Sequence, residues 1–128
     1  MCATSLARAQ DRISCFSLNG AFERTIGSHG VGPGKLIQPR DVAVAPTRQL
    51  LIVSEMGRLQ LFAISSGVSL QIVELAGSSA SPQRSLWGVA ISPSDSSHIY
   101  VADSETSEIL RLTTVKTKVN GRKQKIRL

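Results

Sequence analysis

Residues 41–62 read DVAVAPTRQLLIVSEMGRLQLF. Three short apolar runs, DVAVA, LLIVSE and RLQLF, are broken by turn signals such as APTRQ. Runs of this length, rich in Val, Ile and Leu and bounded by turn formers, read as β-strands. Runs such as LLIV and RLQLF are apolar at consecutive positions, whereas a strand with one solvated face alternates apolar with polar. They therefore predict a sheet covered on both faces.

The same pattern recurs. Val42-Ala43-Val44 before Pro46 returns as Val89-Ala90-Ile91 before Pro93, an offset of 47, and Ile52-Val53-Ser54-Glu55 returns as Tyr100-Val101-Ala102-Asp103, an offset of 48. In the other direction, Arg12-Ile13 with Phe16 maps onto Arg58-Leu59 with Phe62, an offset of 46. Further strand-like runs, RISCFSL, SLQIVEL and EILRL, fill the gaps, and only MCATSLARAQ has any helical character, weakly. About four short strands per period in the forties is the signature of a β-propeller blade. The chain reads as all-β, stacked antiparallel four-stranded blades in an open arc rather than a closed ring.

The order GVGPGKLIQPRDVAVAP, then LLIVSEMGRLQLF, then AISSG resembles the NHL repeat, the blade of NHL-type β-propellers. A second copy, SLWGVAISPSDSSHIYVADSETSEILRL, keeps the Gly-Val-Ala-Ile core and the Val-Ala-Asp strand end. It departs at Ser107-Glu108-Ile109, where the family usually has Asn-x-Arg-Ile, and Asp41 stands where glycine is common. The resemblance covers about residues 11–112 and is nearest in style to the tripartite-motif proteins.

It implies axial strands at 41–45 and 88–92, second strands at 50–55 and 98–103, third strands at 58–64 and 108–113, and an outer strand at 69–75. Residues 11–27 become a half blade, 38–75 a blade, and 86–112 onward another. Residues 1–10 are expected to be degenerate or unstructured, and 113–128 to form a basic hairpin strand or tail. Such a partial propeller implies a fragment of a larger protein, or a chain that self-associates to cover its exposed blade ends.

Charge is unevenly placed. Residues 1–108 hold 8 Lys+Arg against 9 Asp+Glu, whereas residues 109–128 hold 7 Lys+Arg and no acid, so the net +6 belongs to the tail. The body offers no whole-surface case for nucleic acid. No apolar run approaches the roughly 18 residues of a membrane helix. Cys2 and Cys15 form no C-x-x-C pair, and neither Asn19 nor Asn120 begins a glycosylation sequon. The expectation is a soluble, intracellular, cytoplasmic protein with free thiols and no membrane contact.

Residues 27–35, GSHGVGPGK, look like a phosphate cradle. A P-loop needs G-x-x-x-x-G-K-[ST] between strand and helix; here His29 replaces its first glycine and Leu36 its hydroxyl residue. The stretch reads instead as the crossing from the rim of one blade to the axial strand of the next. His29 and His98 are the only histidines, too few for a zinc site without cysteines in range. No nucleophile elbow appears, and Asp103 with Glu105 fits turn capping better than an acid–base pair. No catalytic residue, metal or cofactor is expected.

The loops leading into the axial strands carry Lys35, Arg40 and Trp87, and Arg58 lies between second and third strands. The resemblance implies that this face binds a protein or RNA partner. For Trp87, packing between blades is the competing reading. RNA binding would draw on Lys35, Arg40, Arg58 and the tail residues Lys116, Lys118, Arg122, Lys123, Lys125 and Arg127. A propeller lyase or hydrolase is a further alternative, although the His-rich metal sites of such enzymes have no counterpart here. Asn120-Gly121 is a hairpin signal that would turn the tail into a final strand.

Overall fold

A computed structural model of the chain describes residues 3–7, 10–45, 49–75, 84–94, 97–117 and 123–127. Among these residues it holds thirteen strands. The first sheet holds β1 (Ala3–Ala7), β2 (Arg12–Phe16) and β3 (Phe22–Ile26). A two-stranded parallel ladder, β4 (Ser28–His29) and β5 (Lys35–Leu36), interrupts the crossing to the second sheet. That sheet is β6 (Asp41–Ala45), β7 (Leu50–Glu55), β8 (Arg58–Ala63) and β9 (Ser69–Glu74). The third is β10 (Leu86–Ile91), β11 (His98–Asp103), β12 (Glu108–Thr117) and β13 (Lys123–Arg127).

Within each of these three sheets every strand pairs antiparallel with its sequence neighbour, the meander that short connections dictate. The inner strand β10 packs on β6 and β7 of the preceding sheet, β1 touches β6, and the outer strands β9 and β13 approach each other. Sheets stacked with inner strand beside inner strand and rim beside rim form an open arc of a propeller.

The middle sheet shows why its strands are apolar on both faces. Ala43, Leu50, Ile52, Leu59 and Leu61 point to the third sheet and join Leu86, Val89, Ile99, Val101 and Leu112 in one core. Leu51, Val53, Phe62 and Ile64 point the other way, against Ile13, Cys15 and Ile26 of the first sheet and Leu36 of the crossing loop. Each large aliphatic side chain so buried contributes roughly 1.5–3 kcal/mol. β7 is buried along its whole length.

One element differs from the sequence-based expectation, and a second takes one of the two forms left open for it. Residues 3–7, expected to be degenerate or unstructured, form β1 and pair with β2 from Ala3↔Phe16 to Ala7↔Arg12. Among the described residues the first sheet therefore has three strands, not two, because backbone pairing to an adjacent strand overrides a weak helical preference. At the other end, β13 pairs with β12 from Thr113↔Arg127 to Thr117↔Lys123, so the basic segment is the fourth strand of its sheet. Asn120-Gly121 lies outside the described residues. Among the described residues no helix is long and apolar enough to cross a membrane.

Candidate binding face

The glycine-rich crossing is held from below by three side chains of the middle sheet. Glu55 ends β7, Arg58 opens β8, and Gln60 follows on the same face. Glu55 Oε1 accepts the Ile37 N–H at 2.8 Å, and Arg58 Nε donates to Glu55 Oε2 at 2.8 Å. Arg58 also donates to the carbonyls of Val31 (2.6 Å) and Lys35 (2.9 Å). Fully buried Gln60 accepts from the Gly34 N–H and the Ser69 hydroxyl, both at 2.8 Å, and donates to the Lys35 carbonyl at 2.8 Å. Buried polar groups persist only when satisfied in this way.

These bonds explain the glycines. Gly34 turns at φ +81° so that its N–H can reach Gln60. Gly27, at φ +88°, runs so close to Leu36 that a Cβ would lie 2.6 Å from its Cδ1. The crossing is a backbone tightly wrapped on a polar peg, with no anion required to hold it.

Arg58, expected at the binding face, points inward: its side chain is only 12% exposed and its donors serve the loop. Lys35 is exposed and reaches back to Ser28 Oγ at 3.3 Å. Arg40 and Trp87 meet. The Arg40 guanidinium carbon lies 4.1 Å from the Trp87 ring centroid, and its Nη1 donates to Ser85 Oγ at 2.8 Å. Trp87 remains 40% exposed, so it is not consumed between sheets. Lys116 lies in β12 and Lys123, Lys125 and Arg127 in β13, the rim strand, while Lys118 and Arg122 fall outside the described residues.

Two polar links between sheets were not foreseen as contacts. Asp41, noted in the sequence as replacing glycine, accepts from its neighbour Val42 N–H and, across the sheets, from Val89 N–H, both at 2.9 Å. The buried Ser54 hydroxyl donates to the Trp87 carbonyl. A carboxylate at the head of an inner strand is the signal that could have revealed the first.

Asp103 occupies in the third sheet the place of Glu55 in the second. It accepts from Arg84 Nη1 at 2.9 Å, the Ser85 N–H at 3.2 Å, the Glu105 N–H at 3.0 Å and Thr106 Oγ1 at 3.0 Å. The carboxylate caps the turn that follows β11. Burial alone would raise its pKa, but these four donors together outweigh burial and hold it below the ordinary carboxylate value. Asp11 is lowered as well, by the His29 Nδ1–H at 2.6 Å and the Gln38 N–H at 2.6 Å.

A depressed carboxylate stabilises the fold fully above its unfolded pKa, and that stability disappears as pH falls through the lower folded value. Denaturant titrations should therefore show stability falling from about pH 5 downward, where unfolded Asp begins to take up protons. Asp103→Asn should be less stable at pH 7 and lose less between pH 5 and pH 2. Parallel pH profiles for the two proteins would contradict this.

No protein-family profile matches the chain, and no curated protein matches it. Solved structures do. A protein of Bacteroides fragilis named as exported superposes with a TM-score of 0.58 at 19% identity, over 84% of this chain and 33% of its own. The β-propeller domain of Myceliophteria thermophila Cps50 (Swd1) matches with a TM-score of 0.55 at 10% identity, over 98% of this chain and 37% of its own. The chain thus spans well under half the length of the solved chains it matches. At these identities the likeness concerns the fold, which is that of a partial, open β-propeller.

Proposed function

We propose that this chain is a non-catalytic binding module of the NHL type whose loop-bearing face recognises a protein partner. The observation that carries the reading is the exposed Trp87 ring with Arg40 stacked on it and braced by Ser85. Trp and Arg are the commonest anchors of protein interfaces, and a pair already held in place loses little side-chain freedom on binding. The repeat on which that reading rests is supported by the matching use of Glu55 and Asp103. Each ends a second strand and accepts an N–H from the incoming crossing, at Ile37 and Ser85 respectively.

An RNA site spanning the same face and the basic segment is less well supported. β13 is the outermost strand of its sheet and β10, which carries Trp87, the innermost. Trp87 and the cations of β13 are therefore on opposite edges of that sheet.

Photocrosslinking in cells tests the proposal, with p-benzoylphenylalanine introduced in place of Trp87 or, as a rim control, of the exposed Leu70. The expected result is a protein adduct at position 87 that survives ribonuclease, disappears with Arg40→Ala and is absent at position 70. Ribonuclease-sensitive adducts, equal labelling at both positions, or no adduct would overturn it.

A further inference from the structure

Met56 stands in the turn between β7 and β8 and belongs to neither hydrophobic core. It is 43% exposed, at a place where turns ordinarily carry small or polar residues. In the third sheet the residue after the acidic strand end is Ser104, which is polar and donates its N–H to the Ser85 carbonyl at 3.0 Å. Met56 meets the same Ser85, through an isolated antiparallel bridge. Gly57 beside it donates to the Arg84 carbonyl at 2.8 Å, so backbone bonds tie the turn to the residues leading into β10.

Ser85 is also the residue that braces Arg40, whose guanidinium lies on the Trp87 ring. From the other side of the same turn, Arg58 donates to the Val31 carbonyl at 2.6 Å, and Val31 is 72% exposed. Val31, Met56 and Trp87 are thus three exposed apolar residues displayed where the crossings enter the sheets. Scattered singly, such residues need no explanation; grouped around a stacked Arg–Trp pair they mark a contact surface. A thioether suits the place, because methionine is flexible and re-packs against whatever surface it meets.

The same sulfur is open to oxidants. Cys15, by contrast, is fully buried between the first and second sheets, and Met1 and Cys2 lie outside the described residues.

We propose that Met56 is an apolar contact of the Arg40–Trp87 face and the residue through which oxidation releases the partner, an inference that rests on the partner reading above. Hydrogen peroxide supplies the oxygen. The Met56 sulfur attacks it, the O–O bond breaks, the S–O bond forms, and the remaining oxygen leaves as water after proton transfer. An electron pair passes from sulfur to peroxide, so the thioether is oxidised to the sulfoxide and the peroxide is reduced. Methionine sulfoxide reductases reverse the step with thiols as reductant. The sulfoxide turns an apolar contact into a polar one, and an interface shaped for the thioether would bury its oxygen without a donor.

Photocrosslinking of the purified chain tests the switch, with p-benzoylphenylalanine at position 87. The chain is treated with hydrogen peroxide, freed of oxidant and irradiated in cell extract beside an untreated sample. Mass spectrometry should find an added oxygen on Met56, and the protein adduct should fall roughly tenfold, the scale set by a buried oxygen without a partner. Met56→Gln should lower the adduct to the same extent without peroxide. Met56→Leu, which has no sulfur to oxidise, should give the same yield before and after peroxide, whatever that yield is. Methionine sulfoxide reductase with dithiothreitol should restore the adduct of the oxidised chain, and circular dichroism should stay unchanged throughout. An adduct indifferent to oxidation and to Met56→Gln, or a Met56→Leu chain as peroxide-sensitive as the parent, would overturn the switch and leave the partner reading standing. No adduct from the untreated chain would overturn both.

Discussion

Glu55→Ala is expected to remove about 3–5 kcal/mol of folding stability, the range for breaking a buried ion pair from one side. Glu55 is 1% exposed and holds the Arg58 guanidinium through two hydrogen bonds, at 2.8 and 3.1 Å. Alanine leaves that cation largely buried with no carboxylate, and it orphans the Ile37 N–H. Arg58 in turn loses the orientation that lets it reach the Val31 and Lys35 carbonyls, so the effect should spread to the whole crossing. Guanidinium denaturation measures the loss. Hydrogen exchange should show amide protection falling across residues 30–37 before it falls in β7. Glu55→Gln keeps an acceptor for Ile37 and should lose less. A Glu55→Ala variant within about 1 kcal/mol of the parent, the worth of an exposed pair, would show that the network is peripheral.

Phe62→Ala should cost a similar amount, about 3–5 kcal/mol, as truncation of a buried aromatic leaves a cavity that the surroundings fill only in part. Phe62 has no exposed surface and packs with Ile13, Cys15 and Ile26, so the cavity opens at the seam between first and second sheets. The seam between second and third sheets, built from Ile52, Leu59 and Val101 among others, is untouched. Loss of protection in β2 and β3 with β10 to β12 preserved is therefore the expected exchange pattern. Uniform destabilisation of all three sheets would show that the arc unfolds as one unit. Ile109→Ala, on the exposed outward face, gives the contrasting control: within about 0.5 kcal/mol for a surface change in the isolated chain.

The all-β class and the strand positions were legible because their signals are local. A run such as LLIVSE needs only its own composition and flanking turns to read as a strand, and two-faced apolarity reports burial on both sides. The propeller period was legible because both copies keep the Val-Ala core and the acidic strand end. β1 was not, since ATSLA carries neither β-branched density nor alternation and becomes a strand only by pairing with RISCF. The candidate binding face was half legible. Arg40 stands in its loop as read, whereas Trp87, read in a loop, is the second residue of β10, and their stacking joins residues 47 apart in sequence. Arg58 was misplaced because a cation at a turn reads as exposed until its carboxylate and carbonyl partners are known.

The amino-acid pattern by itself determined a repeating, two-faced strand architecture, and with it the propeller class and the exposed ends of an arc. It also showed that GSHGVGPGK departs from the P-loop pattern, with His29 at its first glycine and Leu36 at its hydroxyl residue, and so reads as a crossing. Tertiary structure alone decided what holds that crossing: the peg of Glu55, Arg58 and Gln60 under its backbone. It alone decided that Asp41 and Ser54 bind the second sheet to the third. The physical reason is one of range. Burial follows a short period that a sequence displays openly, whereas a directional hydrogen bond depends on where two distant backbones pass, and that is set only once the sheets have stacked.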